Sequence, residues 1–165
     1  MAKKGKYIYD WPRPMVTVDA VVFTFIQNRA KILLINRKNE PFKGKWALPG
    51  GFVGIDEELA DAAARELAEE TALSDVSLEQ MHTFGKCDRD PRGRQITIAF
   101  IGIAKASPKQ IKAGDDAAKT GWFDIEKLPK DIAFDHKEII RFGIRKLKSR
   151  KIYRDRSSFK SSLTF

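Results

Sequence analysis

One acidic stretch, residues 51–73, most constrains what this chain can fold into; it reads GFVGIDEELADAAARELAEETAL. It is rich in Ala, Leu and Glu, which have high helix propensity, and predicts a helix whose first turn holds the acids at 56–58. On such a helix Glu66, Glu69 and Glu70 fall within an arc of about 100° on one face. Carboxylates at this spacing repel one another by a few tenths of a kcal/mol per pair. A divalent cation would relieve that repulsion.

The charge distribution sets this stretch apart from the rest of the chain. The 165 residues contain 31 Lys and Arg against 22 Asp and Glu, a net charge of +9. Residues 56–70 carry seven acids and only Arg65 as a base, a net of −6, which leaves +15 on the remainder. Spacing and charge alone leave two interpretations open, a metal site and a solvated acidic helix face.

Length and composition restrict the class of protein. A chain of 165 residues is expected to form one domain with a sizeable core. The absence of a secretory leader and of any long apolar run predicts a soluble, cytoplasmic protein without a membrane partner. The single Cys87 fits a reducing compartment and, with two His, disfavours a zinc site. The basic balance favours polyanionic partners such as nucleotides or nucleic acid.

Residue patterns predict six strands and two helices. β-branched and apolar runs predict strands at 16–26, 31–36, 46–48, 76–84, 95–104 and 120–123. Pro49-Gly50-Gly51 predicts a turn before the acidic helix, and Asp135 with Glu138 predicts a capping box at the start of the second. This order favours a mixed sheet between helices. We expect an N-terminal arm (1–14), a central domain (15–148) and a basic C-terminal tail (149–165).

The acidic stretch resembles the Nudix box, whose pattern is G-x5-E-x7-R-E-U-x-E-E-x-G-U with U aliphatic. Eight of the nine fixed positions match in register: Gly51, Glu57, Arg65, Glu66, Leu67, Glu69, Glu70 and Leu73. Ala72 stands where the pattern has Gly, just past the predicted helix end, where a left-handed backbone is common. An Ala there costs about 1 kcal/mol or shifts the helix end, but it removes no metal ligand.

The resemblance implies an α/β fold, the Nudix α/β/α sandwich with a mixed sheet between helices, and a metal-dependent hydrolase. It implies that Glu66, Glu69 and Glu70, with the backbone carbonyl of Gly50 or Gly51, bind Mg2+, with Mn2+ as an alternative. Glu69 and Glu70 are the first candidates for the general base, ahead of the more distant Asp115 and Asp116. Glu57 and Arg65, eight residues apart, are expected to pair and hold the catalytic loop rigid.

Segments outside the box resemble the small ADP-ribose pyrophosphatases of the Nudix superfamily: KNEPFKGKWALPGGFV, DRDPRGRQITIAF, KAGDDAAKTGWFD and AFDHKEI. They suggest substrate-binding candidates of four kinds: Arg89, Arg92 and Arg94; Phe42 and Trp46; Asp115 and Asp116; and His136. The arginines fit phosphate or ribose oxygens, and the aromatic rings fit a base. Each has a plainer alternative, because loop arginines are often solvated, strand aromatics are often core, and a lone His is often structural.

The leading functional hypothesis is hydrolysis of ADP-ribose to AMP and ribose 5-phosphate. A second enzyme hypothesis is a pyrophosphohydrolase of nucleoside triphosphates, including oxidised ones. A hypothesis of another class is a non-catalytic Nudix-like nucleotide sensor that binds nucleic acid, supported by nine bases within residues 141–160. The intact carboxylate set and the few residues after Leu147 favour turnover instead. The resemblance also implies a homodimer.

Overall fold

The structure, a computed structural model, describes residues 9–105, 113 and 117–150. Asp115, Asp116 and residues 151–165 of the basic tail lie outside these ranges. In chain order the elements are β1 (Met15–Ile26), β2 (Arg29–Arg37), β3 (Trp46–Ala47), β4 (Gly50–Phe52), α1 (Leu59–Thr71), β5 (Leu78–Phe84), β6 (Gln95–Ile103), β7 (Ala117–Asp124) and α2 (His136–Ser149). The six predicted strands are confirmed to within three residues at each end.

The seven strands form one mixed sheet. Its main order is β3-β2-β1-β6-β5, with β4 paired to β1 and β7 paired to β2. The long strands β1 and β6 run parallel over nine residue pairs, whereas the other five pairs of named strands are antiparallel. The predicted central position of the 95–104 strand is confirmed, because β6 lies between β1 and β5.

The apolar side chains of β1 alternate between two helix-covered faces. Val21 and Phe23 belong to a core cluster that includes Ile139, Ile140 and Leu147 of α2. Ala20 and Val22 belong to a cluster that includes Leu67 of α1. Period-two alternation places neighbouring residues on opposite faces of a sheet, so the two helices cover opposite sides. The predicted α/β/α sandwich is confirmed.

Three local predictions are wrong. Helix α1 begins at Leu59, three residues later than predicted, because Glu57 instead accepts a 2.9 Å hydrogen bond from the Gly54 N–H in the preceding loop. The predicted Pro-Gly-Gly turn is the start of β4, since pairing with β1 overrides the low strand propensity of glycine. Asp135 makes no side-chain cap on α2, because its carboxylate binds Arg89.

Helix α1 ends where the sequence predicted, with a left-handed residue at position 72. Ala72 is the C-cap and has φ 60 and ψ 17, the left-handed conformation that glycine adopts without strain.

Neither α1, with 13 residues, nor α2, with 14, is long and apolar enough to cross a bilayer, and the described ranges contain no other α-helix.

Candidate active site

Three acids of α1, Glu66, Glu69 and Glu70, lie along the edge of the helix face that packs on the sheet. Ala62, Ala63 and Leu67 are buried against the sheet, and Glu70 is only 7% exposed. The Glu69 side chain, by contrast, is 45% exposed. Glu66, Glu69 and Glu70 line one open cleft of about 340 Å3 together with Gly50, Gly51 and Phe52 of β4. The structure therefore brings together the proposed carboxylates and the glycine backbone in front of them.

The two glycines of β4 let the strand approach these carboxylates closely. The Gly50 N–H donates a 2.9 Å hydrogen bond to Glu70 Oε2. A Cβ on Gly51 would overlap the Glu66 carboxylate, and one on Gly50 would overlap the Val18 carbonyl oxygen. Without side chains at these positions, the strand backbone lines one cleft together with the carboxylates. Oxygen ligands of this kind are those that hard divalent cations prefer.

Arg65 binds the acids around it through all three guanidinium nitrogens. Its Nε and Nη2 donate to the two oxygens of Glu57 at 2.7 and 2.9 Å, which confirms the predicted pair. Its Nη1 donates to Glu66 at 2.7 Å and to Glu69 at 3.2 Å, and Nη2 also reaches the Phe52 carbonyl at 3.2 Å. The hydrogen bonds from Arg65, and then that from the Gly54 N–H, lower the pKa of Glu57 to about 2.

Glu66 is in a less favourable electrostatic environment. Burial raises its pKa above the usual value, and the neighbouring charge of Glu69 acts in the same direction, although Arg65 opposes both. Within the described ranges no three acidic, His or Cys side chains converge as a ready-made metal cage, and Arg65 holds two of the candidate ligands. The oxygens that line the cleft nonetheless fit a hard cation, which would stabilise the ionised form of Glu66.

On the sheet face toward α2, a second polar cluster surrounds Asp19. Asp19 of β1 pairs with Gly50 of β4 in the sheet and is 6% exposed. Thr97 Oγ1 donates to its Oδ2 at 2.7 Å, and His136 Nε2 lies 3.4 Å from its Oδ1. The other ring nitrogen of His136, Nδ1, accepts a 2.9 Å bond from the Leu48 N–H. Burial lowers the pKa of His136, which favours the neutral ring, and both ring nitrogens lie near partners within the protein.

The three loop arginines predicted to bind substrate have different surroundings. Arg89 has a side chain only 3% exposed and donates twice to Asp135, at 2.9 and 2.8 Å. Arg94 donates to backbone carbonyls, including that of Gly85 at 2.7 Å, and does not line this cleft. Arg92 lines the cleft, is 38% exposed and is oriented by Asp90 at 2.7 Å. Only Arg92 combines exposure with a position in the cleft.

The two aromatic candidates pack against other rings. Trp46 contacts Phe123 edge-on at 4.5 Å and packs on the core beneath α2. Phe42 contacts Phe134 edge-on at 4.8 Å, and neither candidate lines the cleft. These positions favour the structural interpretation of both residues.

Sequence reasoning missed three residues of this region. Phe52 and Arg37 line the cleft, and Phe52 is 40% exposed. Asp19 had a usable signal: it is a lone acid within the apolar run VTVDAVVFTFI. A charge buried in a strand is costly unless it is paired, so its position alone predicts a polar cluster.

Comparison with known proteins identifies the family. The NUDIX domain family matches residues 15–142. This chain belongs to the Nudix family. The Nudix chain is 46% identical over 128 residues to an ADP-ribose pyrophosphatase of Methanocaldococcus jannaschii, covering 78% of this chain and 72% of that protein.

Two further proteins are similar to this chain over most of its length. It is 37% identical to the ADPR responsive transcriptional repressor NtrR of Acinetobacter baylyi, covering 87% of this chain but only 58% of that protein. The NUDIX domain of Shewanella oneidensis NrtR, solved in complex with ADP ribose, is 33% identical with a TM-score of 0.75, covering 84% of this chain and 94% of that one. The chain therefore spans little more than half of the full-length repressor.

Proposed function

We propose that this Nudix protein hydrolyses ADP-ribose to AMP and ribose 5-phosphate with Mg2+, or Mn2+, as cofactor. The observation that carries the proposal is the cleft in which Glu66, Glu69 and Glu70 face the Gly50-Gly51 backbone. The relation to the M. jannaschii ADP-ribose pyrophosphatase and the likeness to an ADP-ribose-bound Nudix domain support this choice of substrate.

Each cleft residue has a proposed task. The three glutamates and the Gly50 carbonyl would hold the divalent cation, which neutralises the diphosphate and lowers the pKa of the attacking water. Glu69, the most exposed of the three, is the preferred general base, with Glu70 second. Arg92 has the exposure to contact a phosphate oxygen. Arg65 and Glu57 hold the loop before α1 in place.

The reaction breaks one phosphoric anhydride bond. A water oxygen attacks one phosphorus of the diphosphate, and the bond from that phosphorus to the bridging oxygen breaks. The bridging oxygen leaves with the bonding electrons as part of the other phosphate. The proton released from water passes to the base and then to solvent, so AMP and ribose 5-phosphate form without any redox partner.

Glutamine variants test this assignment. Glu69→Gln and Glu70→Gln keep the side-chain size and remove the charge, and we expect each to lower kcat for ADP-ribose at least 100-fold. Glu58→Gln is the matched control, because Glu58 is exposed at the start of the same helix, makes no side-chain cap and does not line the cleft. Near wild-type rates in both cleft variants would refute the metal-site assignment.

A nucleotide panel separates the two enzyme hypotheses. With Mg2+ and with Mn2+, kcat/KM is measured for ADP-ribose, other nucleoside diphosphate sugars, and ordinary and oxidised nucleoside triphosphates. We expect ADP-ribose to be the best substrate. A triphosphate preferred over it would instead establish the pyrophosphohydrolase alternative.

The similarity to the A. baylyi repressor supports a non-catalytic alternative, a nucleotide-sensing regulator. A nucleotide-sensing regulator would bind nucleic acid through basic surface, and its affinity would then fall steeply with salt concentration. The carboxylates at the cleft favour turnover, and we expect no specific DNA or RNA binding. Salt-dependent binding together with no hydrolysis of ADP-ribose would favour the regulator.

Three further features belong to the proposal. We propose that the protein is cytoplasmic and forms a homodimer, as the resemblance to small ADP-ribose pyrophosphatases implies. Light scattering of the purified chain would measure its oligomeric state directly. We also retain the division into an arm (1–14), a hydrolase domain (15–148) and a basic tail (149–165), which truncation at residues 15 and 148 would test.

A further inference from the structure

A smaller inner cavity opens from the cleft toward the α2 side of the sheet. It has a volume of about 70 Å3 and shares with the cleft Arg37, Gly50, Gly51, Phe52 and Arg92. Its remaining walls include Asp19, Asp90, Gln95 and His136, each no more than 6% exposed. A ligand in the cleft can therefore extend into a pocket built from buried polar side chains.

Gln95 is the unusual member of this wall. The residue is 1% exposed, and its Nε2 is buried with no hydrogen-bond partner among the described residues. A buried amide donor without a partner costs about 1–3 kcal/mol. Its neighbours are satisfied: Asp90 accepts from Arg92 at 2.7 Å, and both nitrogens of His136 are engaged. Gln95 thus adds to the wall of the cavity an amide donor that has no partner among the described residues.

The size of the inner cavity limits what that group is. At roughly 30 Å3 per water molecule, 70 Å3 holds about two groups the size of a hydroxyl. A purine base, with nine ring atoms, is larger than two such groups. Asp19 supplies the complementary acceptor, because a carboxylate accepts about four hydrogen bonds. The described side chains that reach its oxygens are Thr97 at 2.7 Å, His136 at 3.4 Å and Arg89 at 3.7 Å.

The two sites adjoin across β4, and both are lined by Gly50, Gly51 and Phe52. Strand β4 separates them: Gly50 donates its N–H to Glu70, and it pairs with Asp19 in the sheet. Neighbouring strands lie about 4.8 Å apart, and a ribose is joined to the diphosphate by a single phosphoester. A diphosphate bound at the α1 carboxylates would therefore bring a ribose to the inner cavity.

We propose that the inner cavity binds two neighbouring hydroxyls of a ribose, with Gln95 Nε2 donating to one hydroxyl oxygen and the other hydroxyl donating to Asp19. Gln95 is then a specificity-determining residue that distinguishes ribose from deoxyribose. This inference rests on the proposed function for the presence of a ribose diphosphate in the cleft. Its test uses product binding, so that its outcome does not depend on hydrolysis.

The experiment compares product affinities by calorimetry in wild type and Gln95→Met, which keeps the length and removes the donor. The probes are AMP with 2′-deoxy-AMP and ribose 5-phosphate with 2-deoxyribose 5-phosphate, so the two pairs distinguish the two riboses of ADP-ribose. Trp122→Phe is the matched control, because Trp122 Nε1 is the other buried nitrogen without a partner in the described ranges and lines neither cavity.

For one of the two pairs, we expect wild type to bind the ribose form about 3- to 10-fold more tightly than the deoxy form, the range expected for one neutral hydrogen bond. Gln95→Met should abolish that preference, and Trp122→Phe should retain it. No preference in wild type, or a preference unchanged in Gln95→Met, would overturn the proposal and leave the cavity to ordered water. If Gln95→Met does not fold, Gln95→Leu takes its place, and its preference for the ribose form is compared with that of wild type. Absence of ADP-ribose hydrolysis alongside a Gln95-dependent preference would count against the proposed function only.

Discussion

The contact between Arg65 and Glu57 gives the sharpest stability prediction. Its two hydrogen bonds, 2.7 and 2.9 Å long, form a bidentate ion pair whose side chains are 24% and 20% exposed. Charge-assisted hydrogen bonds contribute about 1.5–3 kcal/mol each when buried, whereas exposed pairs contribute about 0–1 kcal/mol in total. For this intermediate exposure we expect a coupling free energy of about 2 kcal/mol.

A double-mutant cycle measures that coupling. The free energy of unfolding is determined by urea denaturation for wild type, Arg65→Gln, Glu57→Gln and the double variant at pH 7. We expect Arg65→Gln to be the more harmful single change, because it also leaves Glu66 and Glu69 without the guanidinium that binds them. Losing 2 kcal/mol lowers Tm by about 4–8 °C in a chain of this size.

The same pair predicts a direction for pH dependence. The folded-state pKa of Glu57 is about 2, below its usual value of 4.5. Its stabilisation is therefore complete above pH 4.5 and is lost as pH falls toward 2, with a loss of about 1 kcal/mol by pH 3.5. Glu57→Gln should lack that component. A coupling below 0.5 kcal/mol at pH 7, or the same acid dependence in Glu57→Gln, would refute this account of the pair.

Three further changes follow from single observations. Ala72→Gly should raise the free energy of unfolding by about 1 kcal/mol, measured in urea, because the C-cap has φ 60; a destabilised variant would contradict this. Burial lowers the pKa of His136, so the free energy of unfolding should fall as pH drops below 6.5, where the unfolded chain binds a proton more readily than the folded one. His136→Gln retains an acceptor for the Leu48 N–H and should show a weaker fall with pH. Gly51→Ala should lower kcat for ADP-ribose at least tenfold without unfolding the chain by circular dichroism, since its Cβ would displace the Glu66 carboxylate; full activity would contradict the close approach of β4 to α1.

The sequence predicted the parts of the site that depend on local periodicity. The register of α1 placed Glu66, Glu69 and Glu70 on a common side of the helix, and the eight-residue spacing of Glu57 and Arg65 predicted their pair, which the structure contains. The β-branched and apolar runs predicted the strands, and the order of the elements along the chain favoured a mixed sheet between helices. Local patterns succeed here because helix and strand periods determine which side chains share a face.

The errors arise where long-range contacts override local preference. Gly50-Gly51 has poor strand propensity, yet it forms β4 because only a strand without Cβ atoms fits between Val18 and Glu66. Asp135 has the pattern of a helix cap, but its carboxylate binds Arg89, 46 residues away in the chain. No local window contains both partners of such a contact.

Charge balance explains why the two sides of β4 would bind different parts of one ligand. On the α1 side, a single base, Arg65, hydrogen-bonds three acids, Glu57, Glu66 and Glu69, and burial raises the pKa of Glu66. That side therefore gains from a bound cation and, through it, from a diphosphate. On the α2 side, the described acids Asp19, Asp90 and Asp135 lie near the arginines Arg89 and Arg92, at 3.7 Å or less. A nearly balanced pocket with one unpaired amide donor favours an uncharged hydroxyl over a second metal ion, so cation and sugar would bind on opposite faces of the same short strand.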